Sequence, residues 1–120
     1  MKTSTNVVDV DDATFDEEVL SAELPVLVEV GAAWCAPCRA MAPVVERLAA
    51  ENAGRIKVVA MDMEESPLTS ARYGIRGVPT VLVFRRGEKT AQHLGATSKE
   101  KLMALVEGDS ARQGATVDEP

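Results

Sequence analysis

Val7-Val8-Asp9-Val10 opens the apolar pattern of this chain and reads as a short strand. The Asp11-Asp12 pair then predicts a helix start, with Phe15, Val19 and Leu20 on one face. Val26-Leu27-Val28-Glu29-Val30 is almost continuously apolar, the pattern of a central strand covered on both sides, and Glu29 is its one discordant residue. From Pro37 to about Asn52, Met41, Val44, Val45 and Leu48 recur at i, i+3, i+4 and i+7, which predicts an amphipathic helix. Arg55 to Met63 reads as a further strand, and Ser66 to Tyr73 as a short helix ending near Gly74. Thr80-Val81-Leu82-Val83-Phe84 predicts a strand, Arg86-Gly87-Glu88 a turn, and Lys89 to Leu94 the returning arm of a hairpin. Thr97 and Glu100 have the spacing of a capping box ahead of a last helix bearing Leu102, Leu105 and Val106.

The resulting order is βαβαβαββα. Helices between strands imply parallel crossovers and the terminal hairpin adds an antiparallel edge, so the expected fold is α/β, a central mixed sheet flanked by helices on both faces. Residues 109–120 lack an apolar period, which divides the chain into a domain over 1–108 and a polar, flexible tail.

Composition narrows the functional classes. With 120 residues and 46% hydrophobic content, the chain can build one core and is too short for two ordinary domains. A net charge of −6 without a Lys/Arg cluster argues against nucleic acid and anionic membranes, leaving proteins as the expected partners of a monomer. Met1 to Asn6 carries one lysine and no apolar stretch, and no segment reaches the roughly 18 apolar residues of a membrane span, so secretion and anchoring are not expected. Two closely spaced cysteines in such a chain fit the reducing cytoplasm, where disulfides are catalytic or transient.

Those two cysteines stand in Trp34-Cys35-Ala36-Pro37-Cys38, at the expected junction of strand and helix. A sulfur at a helix N-terminus meets unpaired N–H groups and the positive end of the macrodipole, both of which favour the thiolate that attacks disulfides. Cys35 holds that position and is expected to be the accessible one. Cys38, about one turn later on the same face, can attack a mixed disulfide on Cys35 and release the partner. Pro37 fits the first helical turn, where its missing N–H has no partner to lose. Other uses are weaker. A zinc site within the chain would have only His93 to add to the two cysteines, a structural disulfide would close a very small loop, and nothing in the spacing brings His93 beside Cys35 for hydrolysis. His93 reads as a surface strand residue, Asp62, Glu64 and Glu65 as a solvated cluster, and Met41, Met61, Met63 and Met103 as core filler.

The chain resembles the thioredoxin family over roughly Val7 to Gly108, through Ala33-Trp34-Cys35-Ala36-Pro37-Cys38, Tyr73-Gly74-Ile75-Arg76-Gly77-Val78-Pro79-Thr80, Arg86-Gly87-Glu88 and Gly95-Ala96-Thr97-Ser98. The resemblance implies a thioredoxin fold and protein-disulfide reduction by two-electron thiol–disulfide exchange. It implies Cys35 as nucleophile and Cys38 as resolving thiol, with no bound cofactor and with NADPH used indirectly through a thioredoxin reductase. Val78-Pro79 is then a cis peptide lying against the cysteines, although local sequence alone also allows a trans proline at a strand edge. Trp34, Ala36, Pro37, Gly77, Val78, Gly95 and Ala96 match the family's substrate-docking rim. Four positions depart from the common pattern: Ala36 replaces a glycine, Gly31 a tryptophan, Glu29 a buried aspartate and Ala60 the lysine that accompanies it. With no ammonium at position 60, a buried Glu29 is expected to hold its proton more tightly and to serve as a proton relay for Cys38. Two narrower readings stand beside this one: a specialised redox protein with restricted targets, and a non-redox binding or chaperone subunit using the same rim.

Overall fold

The computed structural model describes residues 6–108, so the tail expected at 109–120 lies outside the described residues. Five strands, β1 (Val7–Val10), β2 (Val26–Gly31), β3 (Lys57–Asp62), β4 (Thr80–Arg85) and β5 (Glu88–Leu94), form one sheet in the order β1-β3-β2-β4-β5. Three α-helices accompany them: α1 (Ala36–Glu51), α2 (Pro67–Arg72) and α3 (Lys99–Glu107). No helix among the described residues is long and apolar enough to cross a membrane.

The first two crossovers are parallel, as expected, and the third is not: β4 runs antiparallel to β2. Helix length supplies the reason. Six residues of α2 cover about 9 Å, whereas a six-residue strand is about 20 Å long. The chain therefore stays at the end of the sheet where β3 finishes and enters β4 from there. As a result the C-terminal ends of β2 and β3 and the first residues of β4 lie at one end.

Two local expectations need correction. The chain after Asp11 forms turns and then a π-helical turn, Asp16–Leu20, rather than a helix from Asp11. Asp11 accepts the Ala13 and Thr14 N–H groups of its own turn, while Asp12 reaches across to the N–H groups of Leu68 and Thr69 and the Thr69 hydroxyl, capping α2 from a distance. These hydrogen bonds, led by the Thr69 hydroxyl, hold the Asp12 carboxyl below its ordinary value. The N-cap of α3 is Ser98, whose hydroxyl accepts the Lys101 N–H, and not Thr97. Glu100 instead lies in the first helical turn, where its charge faces the positive helix end.

Alternation along the strands divides the core. Leu27, Val58, Val81 and Val83 face Met41, Val45 and Leu48 of α1 and Leu102 and Leu105 of α3. Val26, Val28, Val30, Val59, Met61, Leu82 and Phe84 face the other way, onto Phe15 and Val19. Phe15, Tyr73 and Phe84 meet pairwise there, with ring centroids 5.2 to 5.6 Å apart. The β4–β5 pairing slips between Val83 and Phe84, where β5 is largely exposed.

Candidate redox site at the end of the sheet

Just beyond β2 the chain turns tightly, the Cys35 N–H donating to the Ala32 carbonyl at 3.1 Å, and α1 begins at Ala36. Cys35 is the N-cap in extended conformation, and its Sγ accepts the Cys38 N–H at 3.1 Å. A sulfur thus fills the place usually taken by a serine or aspartate oxygen, meeting one of the unpaired donors of the first turn. Pro37 occupies that first turn, as expected. The two sulfurs are joined in a disulfide, with the Cα atoms 5.3 Å apart.

Exposure does not separate the pair as expected. Cys35 is 3% exposed and Cys38 7%, both buried in a cluster with Ala32 against which Val78 packs. What distinguishes Cys35 is its electrostatic position at the helix end.

Glu29 lies beneath the pair. Alternation along β2 sets Leu27, Glu29 and Gly31 on the face toward α1, and Gly31 abuts Cys38, so Glu29 is one same-face step, about 7 Å, further down the strand. Its cross-strand partners are Ala60 and Val81, neither able to pair with a carboxylate. Only 9% exposed, the carboxyl is pushed up to about 7 by burial, with the Glu46 charge adding to the shift. Among the described residues it has no ion-pair partner. His93 pairs with Val81 in the same lateral row, half-buried. Partial burial, then nearby Lys101, press its imidazole below the ordinary value. No group of three or more His, Cys, Asp or Glu side chains among the described residues is placed to hold a metal ion.

Of the expected rim residues, Val78 packs beside the disulfide. Val78-Pro79 is cis, and Val78 packs on Cys35 and Cys38. The Pro79 carbonyl accepts the Gly95 N–H at 2.8 Å, joining the loop before β4 to the end of β5 beside Ala96. No backbone hydrogen bond within the described residues engages Val78. Ala36 and Pro37 are exposed, and Trp34 is 61% exposed.

Two residues of this surface escape the sequence reading. Leu94 is 65% exposed at the end of β5, and its Cδ1 lies 3.4 Å from where a Cβ on Gly77 would stand. Its place directly before Gly95-Ala96 was the available signal. Glu64, read as part of a solvated cluster, accepts a hydrogen bond from the Trp34 indole at 2.9 Å, while Asp62 takes the Glu64 and Glu65 N–H groups and shapes that turn. No spacing rule links residues 30 apart.

The family model for thioredoxin matches residues 6–108. The chain belongs to the thioredoxin family. It is 44% identical to thioredoxin C-2 of Corynebacterium nephridii, over 87% of this chain and 96% of that protein. It is likewise 44% identical to thioredoxin of Allochromatium vinosum, over 88% and 99%. Against the chloroplastic M-type thioredoxin of Pisum sativum the identity is 47%, over 82% of this chain and 57% of that protein. Family membership and the bonded cysteine pair identify a thioredoxin-type thiol–disulfide reductase with a mixed-sheet α/β fold.

Proposed function

We propose that the chain reduces protein disulfides through Cys35 as nucleophile and Cys38 as resolving thiol, working as a monomer in the cytoplasm. The observation that carries this reading is the Cys35 sulfur at the N-cap of α1, accepting the Cys38 N–H. That contact favours sulfur bearing negative charge. In the reduced protein, Cys35 thiolate attacks a substrate disulfide, forming a mixed disulfide and expelling one substrate thiolate. Cys38, giving up its proton, attacks the Cys35 sulfur, reforms the internal disulfide and frees the second substrate thiolate. Glu29, with a carboxyl that titrates near neutrality, exchanges that proton with Cys38. A thioredoxin reductase drawing on NADPH restores the dithiol. The domain extends over 1–108, followed by the polar tail.

Docking follows from the rim. An extended substrate segment pairs with the unengaged backbone of Val78, while Trp34, Ala36, Pro37, Gly77, Leu94, Gly95 and Ala96 frame it. Pro79 sets the loop by its carbonyl bond to Gly95. Cys35→Ser abolishes exchange, whereas Cys38→Ser accumulates mixed disulfides with its substrates, read by non-reducing electrophoresis and mass spectrometry. Trapping through Cys38 in preference to Cys35 would reverse the roles. A restricted target range is the second reading, favoured by the absent side chain at Gly31 beside the disulfide. Reduction by a generic thioredoxin reductase, followed by turnover of an unrelated protein disulfide, decides between the two.

A further inference from the structure

Thr80 opens β4 and is 2% exposed, paired with Val30 of β2 on one side and Leu94 of β5 on the other. A valine would fill this strand position with the same branched shape, and a buried hydroxyl is costly unless it finds a partner. Its partner is the Gly77 carbonyl, to which the Thr80 hydroxyl donates at 2.6 Å. The bond runs three residues back, from the first residue of the strand to the residue before Val78.

Peptide geometry makes that bond bear on docking. The Gly77 carbonyl and the Val78 N–H belong to one peptide unit, which is trans and planar, so the two groups point in opposite directions. Drawing the carbonyl onto the buried hydroxyl therefore turns the Val78 N–H the other way, away from Thr80. Glycine by itself fixes such a unit poorly, because it has no Cβ to restrict the torsions beside it. The rest of the loop is already held. Val78 packs against the cysteines, and the Pro79 carbonyl accepts the Gly95 N–H at 2.8 Å. Thr80 supplies the remaining constraint, the direction of the Val78 N–H, which no backbone carbonyl within the described residues accepts.

We infer that Thr80 is a positioning residue for substrate docking: its hydroxyl holds the Gly77–Val78 peptide so that the Val78 N–H is presented to a carbonyl of an extended substrate segment beside the disulfide. Without the hydroxyl, the carbonyl of half-buried Gly77 turns to water, and the N–H turns with it. The sulfurs keep their places, so a disulfide without a peptide backbone reacts as before. The inference rests on the pairing at Val78 in the proposed function.

The test uses reduced wild type, Thr80→Val, Thr80→Ala and Thr80→Ser in stopped-flow reaction with a peptide disulfide at rising concentration and, separately, with dithiobis-nitrobenzoate, a small aromatic disulfide. Thr80→Val is expected to raise the peptide concentration giving half the limiting rate about fivefold, the worth of one hydrogen bond. Its limiting rate and its rate with the small disulfide stay at the wild-type values. Thr80→Ser keeps the hydroxyl and stays within about twofold of wild type throughout. Thr80→Ala, also without the hydroxyl, shows the same rise and carries the comparison should the valine variant not fold. An unchanged half-saturation in the folded hydroxyl-free variants, an equal loss on both disulfides, or a serine variant as impaired as the valine one overturns the inference. The Val78 amide should also be protected from hydrogen exchange in the mixed disulfide of Cys38→Ser with the same peptide. Its unprotected exchange there would instead overturn the pairing at Val78 beneath the inference.

Discussion

The two faces of β2 are built from the same six-residue stretch of backbone and do opposite things. On one side Val26, Val28 and Val30 meet Phe15, Tyr73 and Phe84, an interior closed by three aromatic rings. On the other, Leu27 is followed by Glu29 and Gly31, so the packing gives way to an acid and then to no side chain as the strand approaches the disulfide. The first face gains from every buried ring. The second gives up packing beside the disulfide, so the two-residue period of a strand sets the closed aromatic interior on one face and the acid and the sulfur on the other.

Substitutions that respect or violate this division test it. Phe15→Ala, on the aromatic face, removes a fully buried ring and should cost about 3–5 kcal/mol in urea unfolding. The folded fraction should keep the wild-type rate of disulfide reduction per molecule, measured under strongly native conditions. A matching loss of rate would show that the faces are coupled.

Glu29→Gln tests the other face. The Glu29 carboxyl ionises near 7 when folded against an ordinary value of 4.5, so the folded chain binds this proton more tightly than the unfolded chain. Its contribution is most favourable below about 4.5 and is lost as pH rises through 7, amounting to on the order of 3 kcal/mol when complete. Between pH 5 and pH 8 wild type should therefore lose on the order of 2 kcal/mol more stability than Glu29→Gln. Stopped-flow reduction of a disulfide across the same range should be slower and flatter with pH in the variant. Superimposable rate profiles would leave Glu29 a buried acid without a part in proton transfer.

The smallest effect is expected at the rim. Trp34 is the sole tryptophan and directly precedes Cys35, so its emission should change when the disulfide is reduced. Glu64→Ala should alter that emission in both redox states by releasing the indole, while changing unfolding free energy by less than about 1 kcal/mol, since the bond is exposed. An unchanged spectrum in both states would mean that Glu64 does not orient the ring.

Period and punctuation made the strands, the long helix and the dithiol legible in the sequence, because each is specified within a few residues. Glu29 was legible too: a charge inside an apolar run is conspicuous, and its raised pKa follows from its burial there. The direction of β4 was not, since it depends on whether six residues of α2 span the sheet. Nor was the division of labour between Asp11 and Asp12, where one caps its own turn and its neighbour caps a helix 56 residues away. Leu94 and Glu64 belong to the same class. Each acquires its part only when the loops at one end of the sheet converge.

The slipped pairing of β5 bears on how substrates are selected. An open strand edge is a template on which foreign chains add. Here one edge, β1, has only four residues, while the other carries charged, exposed residues of β5 and an irregularity in its ladder. Both discourage indiscriminate strand addition. On the proposed docking, the backbone offered to an incoming segment is then the short stretch at Val78, next to the sulfurs, so that a segment would be held where it can react and not where it would merely stick.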